Sequence, residues 1–250
     1  MSKFSLSTDY IEFQKTLHPA ILKEADRKAI IVGSDKGNIG LSIEEKFASE
    51  GIKVRSFNKS TLDMTSEELP VEGDEDILVL ANGYTYLDWI ENLEDGEISR
   101  MIGDIFLASV RATNQFVKKT IDSPNRKYII FIGSMAYKNV LNGSSVYCAS
   151  KAAISHFSKC IAWELAPKGY NVVTINPSNT KGTPMTEQTI QGLMRYRNLS
   201  RSEAQGYWAS SLPKHSWLNS EEIAEICNFF ISGKSDYMSG TQIDLAGGQR

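Results

Sequence analysis

Tyr147 and Lys151, in Tyr147-Cys148-Ala149-Ser150-Lys151, stand four residues apart and would share one face of a helix. A phenol, whose ordinary pKa is about 10, is a weak acid at neutral pH, and a neighbouring ammonium favours its phenolate. Such a pair could serve in general acid–base chemistry. About one pair at this spacing is expected by chance in a chain with this much Tyr and Lys, and the bland alternative is an exposed contact. The surroundings therefore carry the weight. Ser134 follows the apolar run Tyr128–Ile132, which would place its hydroxyl at the carboxyl edge of a sheet.

A second chemical signal is Gly33-Ser34-Asp35-Lys36-Gly37-Asn38-Ile39-Gly40, which follows the apolar run Lys28–Val32 and precedes a helical pattern. Glycines there permit a tight turn and close backbone approach to a pyrophosphate at a helix N-terminus. A glycine-rich turn is weak evidence by itself, and the strand-turn-helix context strengthens it.

These residues need a scaffold, and the chain supplies one. Strand patterns occur at Lys28–Val32, Ile52–Phe57, Ile77–Leu80, Tyr128–Ile132, Asn171–Ile175 and Thr241–Leu245. Helical spacing occurs at Leu41–Glu50, Ile98–Thr120, Val146–Leu165 and Ser220–Ile231, the last with Ser220 as its expected N-cap. Continuous apolar strands alternating with helices predict a doubly wound, Rossmann-type α/β fold with a parallel sheet, its ligand at the strands' carboxyl ends. The expectation is one domain over residues 28–250, with an N-terminal appendage over 1–27 in which Ser7-Thr8-Asp9 could cap a short helix interrupted by Pro19.

From Lys28 onward the chain resembles the short-chain dehydrogenase/reductase family. The glycine-rich turn matches that family's nucleotide loop, and Leu80-Ala81-Asn82-Gly83 is similar to its Asn-Asn-Ala-Gly segment. Ser134, Tyr147 and Lys151 match its catalytic serine, tyrosine and lysine in order and spacing. Asn176-Pro177-Ser178, continuing to Thr183-Pro184-Met185, resembles the segment beside the nicotinamide, and Gly240 with Gly247-Gly248 the carboxy-terminal ending. The resemblance implies hydride transfer between a nicotinamide and a carbonyl or alcohol carbon. Tyr147 would then be the proton donor or acceptor, Lys151 would also hold the ribose, and Ser134 would orient the substrate oxygen. It implies cofactor contacts at Gly33, Ser34, Lys36, Asn38, Ile39 and Gly40, at Asn82 and Gly83, and at Pro177, Thr180 and Thr183. Asp63, with Met64 beside it, resembles the residue that contacts the adenine.

The point where the second strand ends, Asn58-Lys59-Ser60, carries no carboxylate for ribose hydroxyls, and Lys59 is adjacent. Lys36 matches a place where NADP-using relatives often carry a base. NADP(H) is therefore expected over NAD(H); the bland alternative leaves both lysines as solvated surface charges.

Four departures from the family pattern matter. The loop reads Gly-Asn-Ile-Gly, one residue longer than usual, and Asn58–Asp76 is too short for two helices and a strand. Asp104 stands where an asparagine commonly supports the catalytic lysine, so it is either a relay member or a helix residue without a catalytic role. Ser178 replaces a glycine, and the segment to Thr183 carries an extra residue. Residues 184–217, with Met194, Tyr196, Tyr207, Trp208 and Trp217, resemble a mobile substrate lid suited to an uncharged substrate, or else a subunit contact.

Composition bounds the remaining readings. The 27 basic and 30 acidic residues nearly cancel, which gives no electrostatic reason to expect a nucleic-acid partner. The sequence shows no signal-peptide h-region and no bilayer-spanning apolar run. Cys148, Cys160 and Cys227 form no CxxC pair and have no nearby histidine at ligand spacing, so no metal is expected and reduced cytoplasmic thiols are. The resemblance further implies a homodimer or homotetramer paired through the helices at Ile98–Thr120 and Val146–Leu165, which could instead face only the core. Two alternatives stand beside the reductase: an NAD-dependent dehydrogenase of the same fold, and a nucleotide-binding scaffold without turnover.

Overall fold

The computed structural model describes residues 26–210 and 212–249. The expected cap at Ser7-Thr8-Asp9 and the break at Pro19 lie outside the described residues. Arg27, counted above with the appendage, is buried in the domain, where it donates to the Ile231 carbonyl and its guanidinium lies 5.7 Å from the Tyr128 ring centroid.

Six strands form one parallel sheet: β1 Lys28–Val32, β2 Lys53–Phe57, β3 Ile77–Leu80, β4 Lys127–Ile132, β5 Tyr170–Pro177 and β6 Gln242–Leu245. Their order is β2-β1-β3-β4-β5-β6, so the chain reverses its direction of travel across the sheet between β1 and β3. Ligands of doubly wound sheets bind in the crevice at such a switch point.

The helices are α1 Ile39–Ser49, α2 Asp95–Ile102, α3 Ala108–Thr120, α4 Ser145–Leu165, α5 Pro184–Arg197, α6 Arg201–Ser210 and α7 Ser220–Ile231. Side chains alternate across each strand and divide the core in two. Ile30 and Val32 of β1 join Leu78, Ile129 and Phe131 beneath Ala112, Phe116, Ile154 and Ile161 of α3 and α4. Ala29 and Ile31 join Ile77, Val79 and Ile130 beneath Ile43 and Phe47 of α1 and Ile223, Cys227 and Phe230 of α7. Burial on both faces explains why β3 and, after their first lysines, β1 and β4 read as unbroken apolar runs.

Two local details differ from the sequence expectation, and a third meets it. The helix expected over Ile98–Thr120 is broken by a π-turn at Gly103–Leu107, where the Ala108 N–H donates to the Gly103 carbonyl five residues back. The Asn82 side chain takes the Asp104 carbonyl at 2.6 Å, which satisfies a group near this break in the regular ladder. The N-cap of α7 is Asn219 rather than Ser220, because Asn219 and Glu222 complete a reciprocal capping box. Between β2 and β3 there is no helix, as the shortness of Asn58–Asp76 predicts. The same segment adds no further strand, which leaves β2 at the edge of the sheet.

Candidate active site

The turn after β1 is held by contacts that tolerate only glycine. Gly33 has a φ of 91°, and a Cβ on Gly40 would lie 2.3 Å from the Gly33 carbonyl oxygen. The first turn of α1 thus packs directly on the end of β1. The extra residue Asn38 is absorbed as the N-cap of α1. Its Oδ1 accepts from the Leu41 and Asp35 N–H groups, both at 3.0 Å, and its Nδ2 donates to the Gly33 carbonyl at 2.9 Å. The first turn of α1 contains no acidic residue, so nothing there opposes an anion at the helix N-terminus.

A cleft of about 420 Å³ runs from this turn along the carboxyl edge of the sheet. Its walls include Asn38, Ile39, Asn82, Gly83, Ser134, Tyr147, Lys151, Pro177, Thr180 and Thr183. A second chamber of about 130 Å³ adjoins it at the end of β2, lined by Gly33, Asn58, Lys59, Leu62, Asp63, Met64 and Thr65 among others. Most of the expected site residues therefore meet on one surface. Three do not line it. Ser34 is buried with its hydroxyl donating to Glu44 at 2.6 Å, Gly40 acts through packing, and Lys36 projects outward as an exposed residue. Asp63 lines the smaller chamber, but one carboxylate oxygen already accepts from the Thr65 N–H and hydroxyl, which holds its pKa below the usual range.

At the far end of the large cleft, Ser134 follows β4, and Tyr147 and Lys151 project from one face of α4. The Ser134 hydroxyl accepts the Ala136 N–H at 3.1 Å, and its own N–H donates to Asn176 Oδ1 at 3.2 Å. Asn176, at the end of β5, is fully buried and donates to Asp244 of β6 at 3.0 Å; Lys138 closes the chain by pairing with Asp244 at 2.7 Å. Asn176 is thus a positioning residue for Ser134. It stood within the Asn176-Pro177-Ser178 segment in the sequence, but only the β4–β5 register shows what it holds.

Lys151 donates from Nζ to the Ile132 carbonyl at 2.9 Å and lies 5.9 Å from the Tyr147 ring centroid. The Tyr147 hydroxyl faces the Met185 sulfur at 3.5 Å, so the start of α5 closes over the phenol. Burial dominates both groups. It pushes the Tyr147 phenol up to about 12, partly opposed by the Ser134 hydroxyl, and pushes the Lys151 ammonium down to about 8. The expected lowering of the phenol by Lys151 is not seen in this geometry, because desolvation outweighs attraction and the ammonium is aimed at Ile132.

Asp104 differs most from its expected role beside Lys151. Its carboxylate receives the Lys59 ammonium at 2.7 and 2.9 Å, and Arg100 approaches at 3.5 Å. It points toward the β2 end of the cleft. Lys59 is correspondingly paired within the chain rather than extended as a free cation.

Of the aromatic residues in the expected lid, Tyr196 and Trp208 pack with Met194 around Ile190, Leu193 and Ala204 of α5 and α6. Tyr207 and Trp208 also line the cleft, while Trp217 is half-buried.

Residues 73–193 match the family model described as short chain dehydrogenase. The chain is 27% identical over 237 residues to the 3-oxoacyl-(acyl-carrier-protein) reductase of Haemophilus influenzae, covering 92% of this chain and 91% of that protein. These matches together support its placement in the short-chain dehydrogenase/reductase family. Within this family, the L-xylulose reductase of Bos taurus is 23% identical, with 91% of this chain and 98% of that protein covered. Two solved structures share the fold: an actinorhodin polyketide ketoreductase with NADPH and an NAD+-bound xylitol dehydrogenase. Their TM-scores are 0.81 and 0.80, each at 20% identity, covering 90% and 91% of this chain and 97% and 100% of theirs. The chain is accordingly a family oxidoreductase with a fold that binds a nicotinamide cofactor. Its donors fit such a group: an uncharged helix N-terminus beside the glycine turn, a chamber past β2, and Lys151 with Tyr147 at the opposite end.

Proposed function

We propose that this protein is an NADP(H)-dependent carbonyl reductase or alcohol dehydrogenase acting on a small, uncharged substrate. The observation that carries the reading is the convergence of Ser134, Tyr147 and Lys151 on one end of a cleft whose other end meets the glycine turn. The bound nicotinamide would supply the hydride, and the protein's residues supply position and proton. Gly33 and the N-terminus of α1 would face the pyrophosphate, and Lys151 the ribose next to the nicotinamide. Thr180 and Thr183 would flank the ring. Tyr147, buried and neutral at physiological pH, would give its proton to the oxygen of a reduced carbonyl, and Ser134 would orient that oxygen.

The substrate class follows from what lines the Tyr147 end. Met135, Leu141, Met185 and Trp208 are apolar, and Asn139, Ser144 and Gln188 are neutral hydrogen-bonding groups. Apart from Lys151, the charged residues of the cleft are Asp35, Lys59, Arg100 and Asp104. Three of them form one ion-pair cluster, and Asp35 meets Asn58 at the end of β2. Apart from the Lys151 ammonium, which already donates to the Ile132 carbonyl, a charged substrate would therefore find no counter-ion beside the phenol.

NADP(H) is favoured because β2 ends at Asn58 without a carboxylate and Lys59 lines the chamber beyond it. The NAD(H) alternative rests on Asp104, whose carboxylate pairs with that lysine, and on Asp35, whose carboxylate accepts from Asn58. Calorimetric titration with each cofactor separates the two. We expect the tighter dissociation constant for NADPH, followed by turnover in a screen of neutral ketones and aldehydes. Equal or tighter NADH binding would transfer the assignment to an NAD-dependent dehydrogenase, binding without turnover would leave the nucleotide-binding scaffold, and binding of neither would remove the nucleotide reading.

The same proposal takes residues 28–250 as the catalytic domain, with 184–217 as its lid, in a cytoplasmic homo-oligomer. Among the described residues no helix is long and apolar enough to cross a membrane. Support for assembly comes from Leu107 beside α3 and Trp163 of α4, which are 43% and 86% exposed. Light scattering should give a dimer or tetramer; a monomer at micromolar concentration would remove that part of the proposal.

A further inference from the structure

Lys59 and Asp104 come from different elements that wall the cleft. Lys59 follows β2, and Asp104 lies in the π-turn between α2 and α3. Both line the 130 Å³ chamber and the 420 Å³ cleft, so their ion pair stands at the waist between the two spaces. The partners are not equally free to move. The Asp104 side chain is only 11% exposed, its backbone carbonyl is held by Asn82, and Arg100 approaches its carboxylate from α2. Arg100 is itself stacked 3.6 Å from the Tyr84 ring centroid, and the Tyr84 hydroxyl donates to Glu97 at 2.8 Å. Lys59 is half exposed on a flexible four-carbon stem.

We propose that Asp104 is a specificity-determining residue: an internal counter-anion that holds Lys59 and sets how strongly the cleft favours a 2′-phosphorylated dinucleotide. This inference rests on the nucleotide reading of the cleft. A phosphate entering the chamber beyond β2 must draw the Lys59 ammonium away from a fixed carboxylate, and it also meets that carboxylate's like charge. A dinucleotide without the 2′-phosphate makes no such demand. Asp104 therefore moderates the preference that Lys59 creates, and the ion pair acts on the cofactor rather than on the proton chemistry at Tyr147.

The test is calorimetric titration of the full chain with NADPH and NADH, using the parent protein, Asp104→Asn, Lys59→Met and the double variant. Asparagine keeps the side-chain shape and the backbone carbonyl that Asn82 holds. Because Lys59 is half exposed, the expected effect is modest: Asp104→Asn tightens NADPH roughly fivefold and leaves NADH within about twofold. In the Lys59→Met background, the same change should shift NADPH by less than about twofold, since the two residues act as a coupled pair. Equal tightening of both cofactors would overturn the inference, because the carboxylate would then be acting on their shared part. An unchanged NADPH constant in Asp104→Asn, or a full gain without Lys59, would overturn it as well. If the parent protein and the variants bind neither dinucleotide, the nucleotide reading itself fails and this inference fails with it.

Discussion

Replacing Tyr147 by phenylalanine should lower kcat roughly 10²- to 10⁴-fold while leaving cofactor binding within about twofold. The substitution removes one oxygen and nothing else. The ring belongs to the core cluster beneath α3 and α4, so its packing is retained, and the hydroxyl donates to the weakly accepting sulfur of Met185 at 3.5 Å. Loss of such a bond costs the fold little. The proton that the oxygen carries is different in kind. With burial pushing the phenol up to about 12, Tyr147 is protonated throughout the neutral range and ready to protonate a newly formed alkoxide. Steady-state rates on any substrate identified, paired with cofactor titration, would read both halves of the result. Unchanged turnover would remove Tyr147 from the chemistry.

Lys151→Met should abolish most turnover and at the same time make the protein more stable at neutral pH. Lys151 is buried, and its ammonium is pushed down to about 8 by desolvation, against about 10.5 when solvated. That difference corresponds to a penalty of about 3 kcal/mol for the charged form in the fold. Methionine has a similar reach and carries no charge. The pH dependence has a definite sign. Below about pH 8 both folded and unfolded chains hold the proton, and the parent protein bears the full penalty. Between about 8 and 10.5 the unfolded chain holds a proton that the folded chain has lost, so the parent's stability rises with pH. The variant's advantage should therefore be greatest at pH 7 and shrink toward pH 10.5 in denaturant unfolding curves. A variant less stable than the parent at pH 7 would mean that the Ile132 carbonyl and its surroundings more than offset the burial. A residue whose removal costs activity and improves stability is one that the fold carries for function.

Most of the architecture was legible in the sequence because buried parallel strands leave an unmistakable trace. Runs such as Lys28–Val32 and Ile77–Leu80 are apolar on both faces, and helical spacing lies between them. Ser134, Tyr147 and Lys151 were legible because the helix period and the end of β4 bring them to one edge. The π-turn at Gly103–Leu107 was not, since it depends on Asn82 reaching across from the end of β3. Nor was the Lys59–Asp104 pair, whose members are 45 residues apart and meet only when the cleft is built. The direction of the Tyr147 shift was misread for a related reason. A spacing of four residues places two groups together but says nothing of how much water surrounds them. Asn38 shows the reverse case: an insertion that looked disruptive is used as a helix cap.

The short connection between β2 and β3 has a consequence for the behaviour of the molecule in concentrated solution. With β2 at the rim of the sheet, one side of it lies next to no other strand among the described residues, and such rims invite edge-to-edge association and fibril growth. This rim is guarded. β2 is only five residues long and carries Lys53 and Arg55, and Arg55 is tied by hydrogen bonding and ion pairs to Pro70, Glu72 and Glu75 of the segment that passes beside it. A chain that shortened this crossover without charged gatekeepers would have gained compactness and become prone to aggregate.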